Sequence, residues 1–93
     1  MGIMDKLKDI NEMRKQAKQM EALLAAETVS GKSSGGKIVI ITDGNQNVKS
    51  VEVSPEIAGD KSEIARHIRA VLEDLFKQHK KMQQSKFGSM LQQ

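Results

Sequence analysis

The feature that most constrains this chain is an uninterrupted helical pattern near its start. Residues 3–26 contain neither Gly nor Pro and are rich in Lys, Glu, Gln, Met, Leu and Ala, which favour helix. Apolar residues recur there at intervals of three and four, and they are Ile3, Leu7, Ile10, Met13, Ala17, Met20 and Leu24. A helix of about 24 residues is about 36 Å long. In a chain of 93 residues, a helix of this length must dominate the shape of the domain.

The middle of the chain predicts a small antiparallel sheet. Residues 37–42 and 48–53 are rich in β-branched side chains, and residues 43–47 between them are dense in turn formers. Two such runs joined by a short polar connection are typical of a hairpin. Residues 27–33 are expected to add an edge strand, with a turn at residues 34–36.

A second long helix is expected from about residue 61 to about residue 86, followed by a frayed tail at residues 87–93. Asp60, with Glu63 three residues later, resembles a capping box. The apolar side of this helix is marked by Ile64, Ile68, Val71, Leu72, Leu75, Phe76 and Met82. The predicted fold class is therefore α+β, with a long helix, a sheet of two to three strands and a long helix in one domain over residues 1–93.

The proportions of these elements predict a homodimer. A six-residue strand is only about 20 Å long, so the helices must overhang the sheet as arms or find apolar cover on another chain. The chain has no Cys, which excludes disulfides and a cysteine zinc site as sources of stability for so small a domain. One strand is also apolar on both faces, and we expect its residues to form the dimer interface: Ile38, Val39, Ile40 and Ile41.

The charge distribution indicates an anionic partner. The net charge is +3, and residues 61–93 hold seven Lys and Arg against three Asp and Glu. Two groups of cations gather on single arcs of the predicted helices: Arg14, Lys15 and Lys18 on the first, and Arg66, Arg69, Lys77, Lys80 and Lys81 on the second. Glu73 interrupts the second group and could pair with Arg69 and Lys77. A solvated, salt-bridged face is the alternative interpretation of either group alone.

Other chemistries have little support in the sequence. Residues 31–37 match the first seven letters of a phosphate-binding loop, but Ile38 stands where Ser or Thr must hold magnesium, and a strand follows instead of a helix. His67 and His79 are expected to be exposed or at an interface, too far apart to share a metal. No catalytic site, cofactor, metal or small-molecule substrate is predicted. The polar N-terminus and the lack of a long apolar run predict a cytoplasmic protein without a membrane segment.

Several motifs together resemble one known family. They are the Met- and Gln-rich run at residues 13–20, Thr28-Val29-Ser30-Gly31, Gly35-Gly36-Lys37-Ile38-Val39-Ile40, Asp43-Gly44-Asn45 and Val48-Lys49-Ser50-Val51-Glu52-Val53-Ser54-Pro55-Glu56. In this order and at these distances they resemble the YbaB/EbfC family of bacterial nucleoid-associated proteins. Val71-Leu72-Glu73-Asp74-Leu75-Phe76 departs from the small-residue stretch usual in the family's closing helix. The resemblance implies a tweezer-like homodimer whose helical arms grip duplex DNA.

The residues and the resemblance converge on a non-enzymatic protein of the nucleoid. The chain has no Tyr or Trp and only two Phe, so it has few side chains that could stack on the bases of single strands. We therefore expect it to bind double-stranded DNA, and to do so with low sequence preference. Its Lys and Arg side chains would neutralise phosphates, which positions a protein on a duplex without reading the bases. The alternative is a dimeric adaptor or chaperone-like protein that holds a protein partner on apolar helix faces.

Overall fold

Along the chain, one long helix precedes a three-stranded sheet and another follows it, which confirms the predicted α+β class. The computed structural model describes the backbone of residues 3–91 and the side chains of residues 7–88. In chain order, the elements are α1 Ile3–Ala25, β1 Thr28–Lys32, β2 Ile38–Asp43, β3 Val48–Val53 and α2 Lys61–Leu91. A 3-10 turn at Ser34–Gly36 joins β1 to β2.

The sheet is antiparallel in the order β1-β2-β3, so the strand predicted at residues 27–33 is present as the edge strand β1. Gly31 pairs with Ile40, and Ile40 pairs with Val51 across the sheet. A shift in register between Ile41 and Thr42 marks a bulge near the end of β2. Side chains alternate between the two faces of a strand, so Gly31, Ile40 and Val51 share one face.

Helix α2 covers that face over β1 and β2. Ile38, Ile57 and Val71 are buried together in the core, with Ile40 and Ile64 packed against them, and Val29 and Leu75 are buried as well. Gly31 allows the close approach of helix to strand, since a Cβ at this position would lie 2.7 Å from the Cβ of Leu75. The helix begins as predicted, because Asp60 Oδ1 accepts the N–H groups of Ser62 (3.1 Å) and Glu63 (3.2 Å).

Helix α1 projects from the rest of the molecule instead of packing along it. Side chains 7–19 are all exposed, including Leu7 (53%) and Met13 (68%). The molecule measures 65 × 26 × 18 Å, with a radius of gyration of 18.8 Å. A compact domain of this length has a radius of gyration of about 12 Å. The overhanging arm inferred from the proportions of the elements is therefore present in α1.

Two predictions about α2 were wrong. The helix does not end near residue 86 but continues to Leu91, so residues 87–91 of the expected tail are helical, while residues 92 and 93 lie outside the described part. A single glycine, Gly88, costs a helix only about 1 kcal/mol relative to Ala, and no Pro follows it. Both histidines are buried within the single chain, at 7% exposure for His67 and 3% for His79.

The buried histidines join α2 to the strands through hydroxyl groups. His67 Nδ1 lies 2.8 Å from Ser33 Oγ, which also accepts the N–H of Ile38 at 2.9 Å. His79 Nε2 lies 2.8 Å from Thr42 Oγ1. The Thr42 hydroxyl donates its one proton to the carbonyl of Asp43, so it accepts a hydrogen bond from His79. These contacts give both side chains a structural role.

Candidate nucleic-acid interface

The three cations predicted on the first helix lie on the projecting arm. Arg14, Lys15 and Lys18 are all exposed. Among the described side chains, none of the three has a carboxylate oxygen within 4.0 Å. Because α1 is separated from the sheet along most of its length, a large ligand could reach these groups without moving any other element.

The five cations predicted on the second helix are exposed as well, but they differ in their partners. Arg66 pairs with Glu63 at 2.5 Å, and Arg69 pairs with Glu73 at 3.3 Å. The expected pairing of Glu73 with Arg69 is therefore present. The remaining three, Lys77, Lys80 and Lys81, have no carboxylate oxygen within 4.0 Å among residues 7–88. Unpaired positive charge on α2 is thus concentrated in its second half.

Four of the five cations of α2 point away from the sheet, while Lys81 lies on the flank next to β1, beside Thr28 and Ser30. At 100° per residue, Arg66, Arg69, Lys77 and Lys80 fall on the arc opposite the buried residues Val71, Leu75 and His79. The two groups without ion pairs among the described side chains, Arg14, Lys15 and Lys18 on α1 and Lys77, Lys80 and Lys81 on α2, are called the cationic surface below. The cationic surface can attract an anionic polymer and contact the polymer's charges without any change to the core.

The carboxylate of Asp74, at the border of the cationic surface, is hydrogen-bonded to the edge of the sheet. Asp74 Oδ2 accepts the N–H of Lys32 at 2.8 Å, on the outer edge of β1. This hydrogen bond, followed by one from Gln78 and by the charges of Lys77 and Lys81, holds the pKa of the Asp74 carboxyl below its ordinary value. Its negative charge satisfies a strand edge and offsets part of the charge of the two lysines.

Apolar side chains form a second surface, and the sequence pattern could not show which of them would be exposed. Helix α2 covers β1 and β2 but leaves β3 open, so Val51 (57%) and Val53 (43%) are exposed on the helix side of the sheet. On α2 the flank opposite Asp74 adds Ile68 (43%), Leu72 (37%) and Phe76 (62%). These five residues are called the apolar surface. Exposed apolar patches of this kind mark interaction sites.

The residues predicted for the dimer interface are divided between two faces. Ile38 is only 1% exposed and belongs to the core of its own chain, so a partner could not contact it without disrupting that core. Ile40 is half-buried beside the apolar surface. Val39 and Ile41 are half-buried on the opposite face of the sheet. The sequence pattern found an apolar strand, but it could not show which face α2 would cover.

The other candidate sites have structural explanations. Residues 31–37 form the end of β1 and a turn in which Gly35 and Gly36 have φ of 66°, and a strand follows. No helix N-terminus is available there to hold phosphates. Across the described residues, no three His, Cys, Asp or Glu side chains are grouped as metal ligands would be. No helix within this range is long and apolar enough to cross a membrane.

Comparison with known proteins adds independent findings. A family model described as the YbaB/EbfC DNA-binding family matches residues 1–93. A nucleoid-associated protein of Hahella chejuensis is 30% identical over 87 residues, which are 92% of this chain and 81% of that protein. The nucleoid-associated protein TTE0040 of Caldanaerobacter subterraneus is 30% identical over 74 residues, 80% of this chain but only 61% of that protein.

A solved structure supports the fold. The crystal structure of uncharacterized protein HP0035 from Helicobacter pylori superimposes with a TM-score of 0.78 and covers 98% of both chains at 19% identity. The arrangement of helices and sheet is thus shared beyond recognisable sequence similarity.

The chain spans about half of another relative, the nucleoid-associated protein Npun_F0448 of Nostoc punctiforme (52% of its length, at 32% identity and with 64% of this chain aligned).

Proposed function

The chain belongs to the YbaB/EbfC DNA-binding family, and on that premise we propose that it binds double-stranded DNA as a homodimer with low sequence preference. The family is one of DNA-binding proteins and not of enzymes. Relatives named as nucleoid-associated proteins agree with the nucleoid, and hence the cytoplasm, as its location.

The observation that carries the proposal is the cationic surface. Its six side chains project from two helices without carboxylate partners in the described structure, so contact with phosphates would not require breaking an existing ion pair. Arg66 and Arg69 would first have to leave Glu63 and Glu73, and we assign them a smaller share of binding. Phosphate contacts position the protein on a duplex but carry no sequence information, which supports the low sequence preference.

The apolar surface supports the second half of the proposal, the homodimer. The single chain exposes 7352 Å², whereas a compact monomer of 10.3 kDa exposes about 5,400 Å². The excess of about 2,000 Å² exceeds the roughly 800 Å² that each partner buries in an interface of standard size. A second copy that covers the apolar surface and Ile40 would remove these exposed apolar side chains from solvent and leave Lys77 and Lys81 of α2 open.

The alternative function, a dimeric adaptor that binds a protein, draws on the same exposed side chains. Leu72 and Phe76 lie on a helix flank, as apolar anchors for a partner helix would. The two functions differ in the surface they require. DNA binding requires the cationic surface, whereas an adaptor requires apolar side chains that remain exposed after the chain has dimerised.

An electrophoretic shift with two unrelated duplexes at low salt tests the proposal. Both duplexes should be retarded at similar protein concentrations, and replacement of Lys77, Lys80 and Lys81 by Gln should weaken both equally. The matched control replaces Lys32, Lys49 and Lys61, three exposed lysines outside the cationic surface, and so removes the same net charge. If the control weakens binding as much, the cationic surface has no special role. If the parent retards neither duplex, DNA binding is wrong and the adaptor function takes its place.

A further inference from the structure

Helix α1 is attached to the rest of the chain mainly through its last turn. The carbonyl of Leu24 accepts the N–H groups of Glu27 (3.0 Å) and of Gly44 (2.8 Å). The side-chain amide of Asn45 donates to the carbonyl of Glu21 at 2.9 Å. Gly44 and Asn45 belong to the turn between β2 and β3, which is distant in sequence from the helix it contacts.

The turn adds to a helix cap for which the local sequence provides only the N–H of Glu27. The last four carbonyls of a helix lack partners within the helix, and Gly just after the helix or basic residues in its last turn usually compensate. The residues after α1 are Ala26 and Glu27, and its last turn has no basic residue. The N–H of Gly44 joins that of Glu27 at the carbonyl of Leu24, and the amide of Asn45 donates to the carbonyl of Glu21, one residue before the last four, so the end of the helix and the turn stabilise each other.

Close contact at this point requires Gly44. A Cβ on Gly44 would lie 2.5 Å from the carbonyl oxygen of Leu24 and 3.1 Å from its Cα. The φ of Gly44 is not positive, so alanine would be strained only by this contact with α1. The buried carboxylate of Asp43 holds the turn in shape, because Oδ1 accepts the N–H groups of Asn45 (2.8 Å) and Asn47 (3.0 Å).

We infer that the β2–β3 turn, through Gly44 and Asn45, sets the direction of α1 and thereby aligns Arg14, Lys15 and Lys18 with DNA. The second half of this statement rests on the proposed function. Arg14 lies ten residues from Leu24, or about 15 Å along the helix. A tilt of about 20° at the turn would displace it by about 5 Å, more than the 3.4 Å axial spacing of charges along one DNA strand. Gly44 and Asn45 are positioning residues that need not touch DNA.

The direction of the arm can be measured without DNA. The chain has no Cys, so D9C on α1 and E52C on β3, both exposed, give a single pair of spin-label sites per chain. Samples diluted with excess unlabelled protein restrict the measured distance to one chain. G44A should shift or broaden the distance distribution relative to the parent. The matched control is G59A, since a Cβ there would meet no described atom within 4 Å, and its distribution should equal that of the parent.

The same variants are then titrated with duplex over a range of salt. G44A should bind more weakly than G59A, and its log-log salt slope should fall by about 0.9 for each phosphate that the protein no longer neutralises. Thermal melts establish that G44A is folded, and N45A, which removes only the amide contact with Glu21, replaces it if it is not. An unchanged distance in the folded variant, or a changed distance with unchanged DNA binding, overturns the inference. Failure of the parent to bind DNA refutes the proposed function, while the distances still test the anchor.

Discussion

At the scale of single residues, small and polar side chains fix the geometry that the larger elements require. Gly31 lets α2 lie on β1, and Gly44 lets a turn meet the end of α1. Asp43 accepts hydrogen bonds within that turn, while Ser33 and Thr42 are hydrogen-bonded to the two buried histidines. Few of these residues are apolar, so a search for the core by hydrophobicity alone would miss them.

Gly31→Ala tests the closest of these contacts. The new Cβ would lie 2.7 Å from Leu75 Cβ and 2.8 Å from the carbonyl oxygen of Val71, so α2 would have to move away from β1. Overpacking of this kind costs about 1–3 kcal/mol. For a domain of this size each kcal/mol lowers Tm by about 4–8 °C, which calorimetry can measure. Gly59→Ala should leave Tm nearly unchanged, and an equal decrease in both variants would contradict a role for this contact.

Asp43 gives a prediction that depends on pH. The hydrogen bonds from the Asn47 side chain and backbone, joined by the backbone N–H of Asn45, lower the pKa of Asp43. A carboxyl whose pKa falls on folding stabilises the protein above its unfolded pKa of about 3.9, and this contribution is lost as pH drops through the folded value. Asp43→Asn should therefore lower Tm by several degrees at pH 7. Melts repeated at decreasing pH should show the difference shrink as the pH falls below the unfolded pKa of about 3.9, and a constant difference would mean that charge is not the cause.

At the scale of elements, the sequence predicted what depends on local patterns. Both helices and all three strands were found, because hydrophobic period and turn formers are local signals. The apolar arc of α2 was also found, but seven apolar residues span more of the helix than the sheet covers. The pattern could not separate the buried Val71 and Leu75 from the exposed Leu72 and Phe76. The cap on α1 was missed for a similar reason, since Gly44 and Asn45 act across about twenty residues of chain.

The contributions of α1 and α2 to DNA binding can be tested separately. Replacement of Arg14, Lys15 and Lys18 by Gln retains helix propensity and leaves apolar side chains unchanged, so the fold should survive. If these cations neutralise phosphates, the log-log salt slope should fall by about 0.9 for each phosphate left without its cation, on any duplex sequence. The same measurement on a variant with Lys77, Lys80 and Lys81 replaced compares α2 with α1. Two folded triple variants that bind as the parent does would show that these are solvated faces.

At the scale of the whole molecule, the extended shape of the single chain supports the proposed association with a second copy. An extent of 65 Å and a largely exposed α1 are unusual for a chain of 93 residues. The apolar and cationic surfaces occupy neighbouring arcs of α2, with Phe76 and Lys80 four residues apart, so a partner on the apolar surface would leave Lys77 and Lys81 open. Two copies joined through the apolar surface would carry two sets of cations, and every weak phosphate contact would be made twice.

The dimer itself is the last prediction. Sedimentation at low micromolar concentration should give a mass near twice 10.3 kDa, and Tm should rise with concentration because association stabilises the folded chain. Leu72 and Phe76 are exposed in the single chain, so L72E/F76E should introduce charge without entering the core, and should shift the mass toward 10.3 kDa. V39E places a single negative charge on the opposite face of the sheet. If V39E dissociates the dimer and L72E/F76E does not, the partner binds the face of Val39 and Ile41. A parent that is folded and monomeric at this concentration would refute the homodimer.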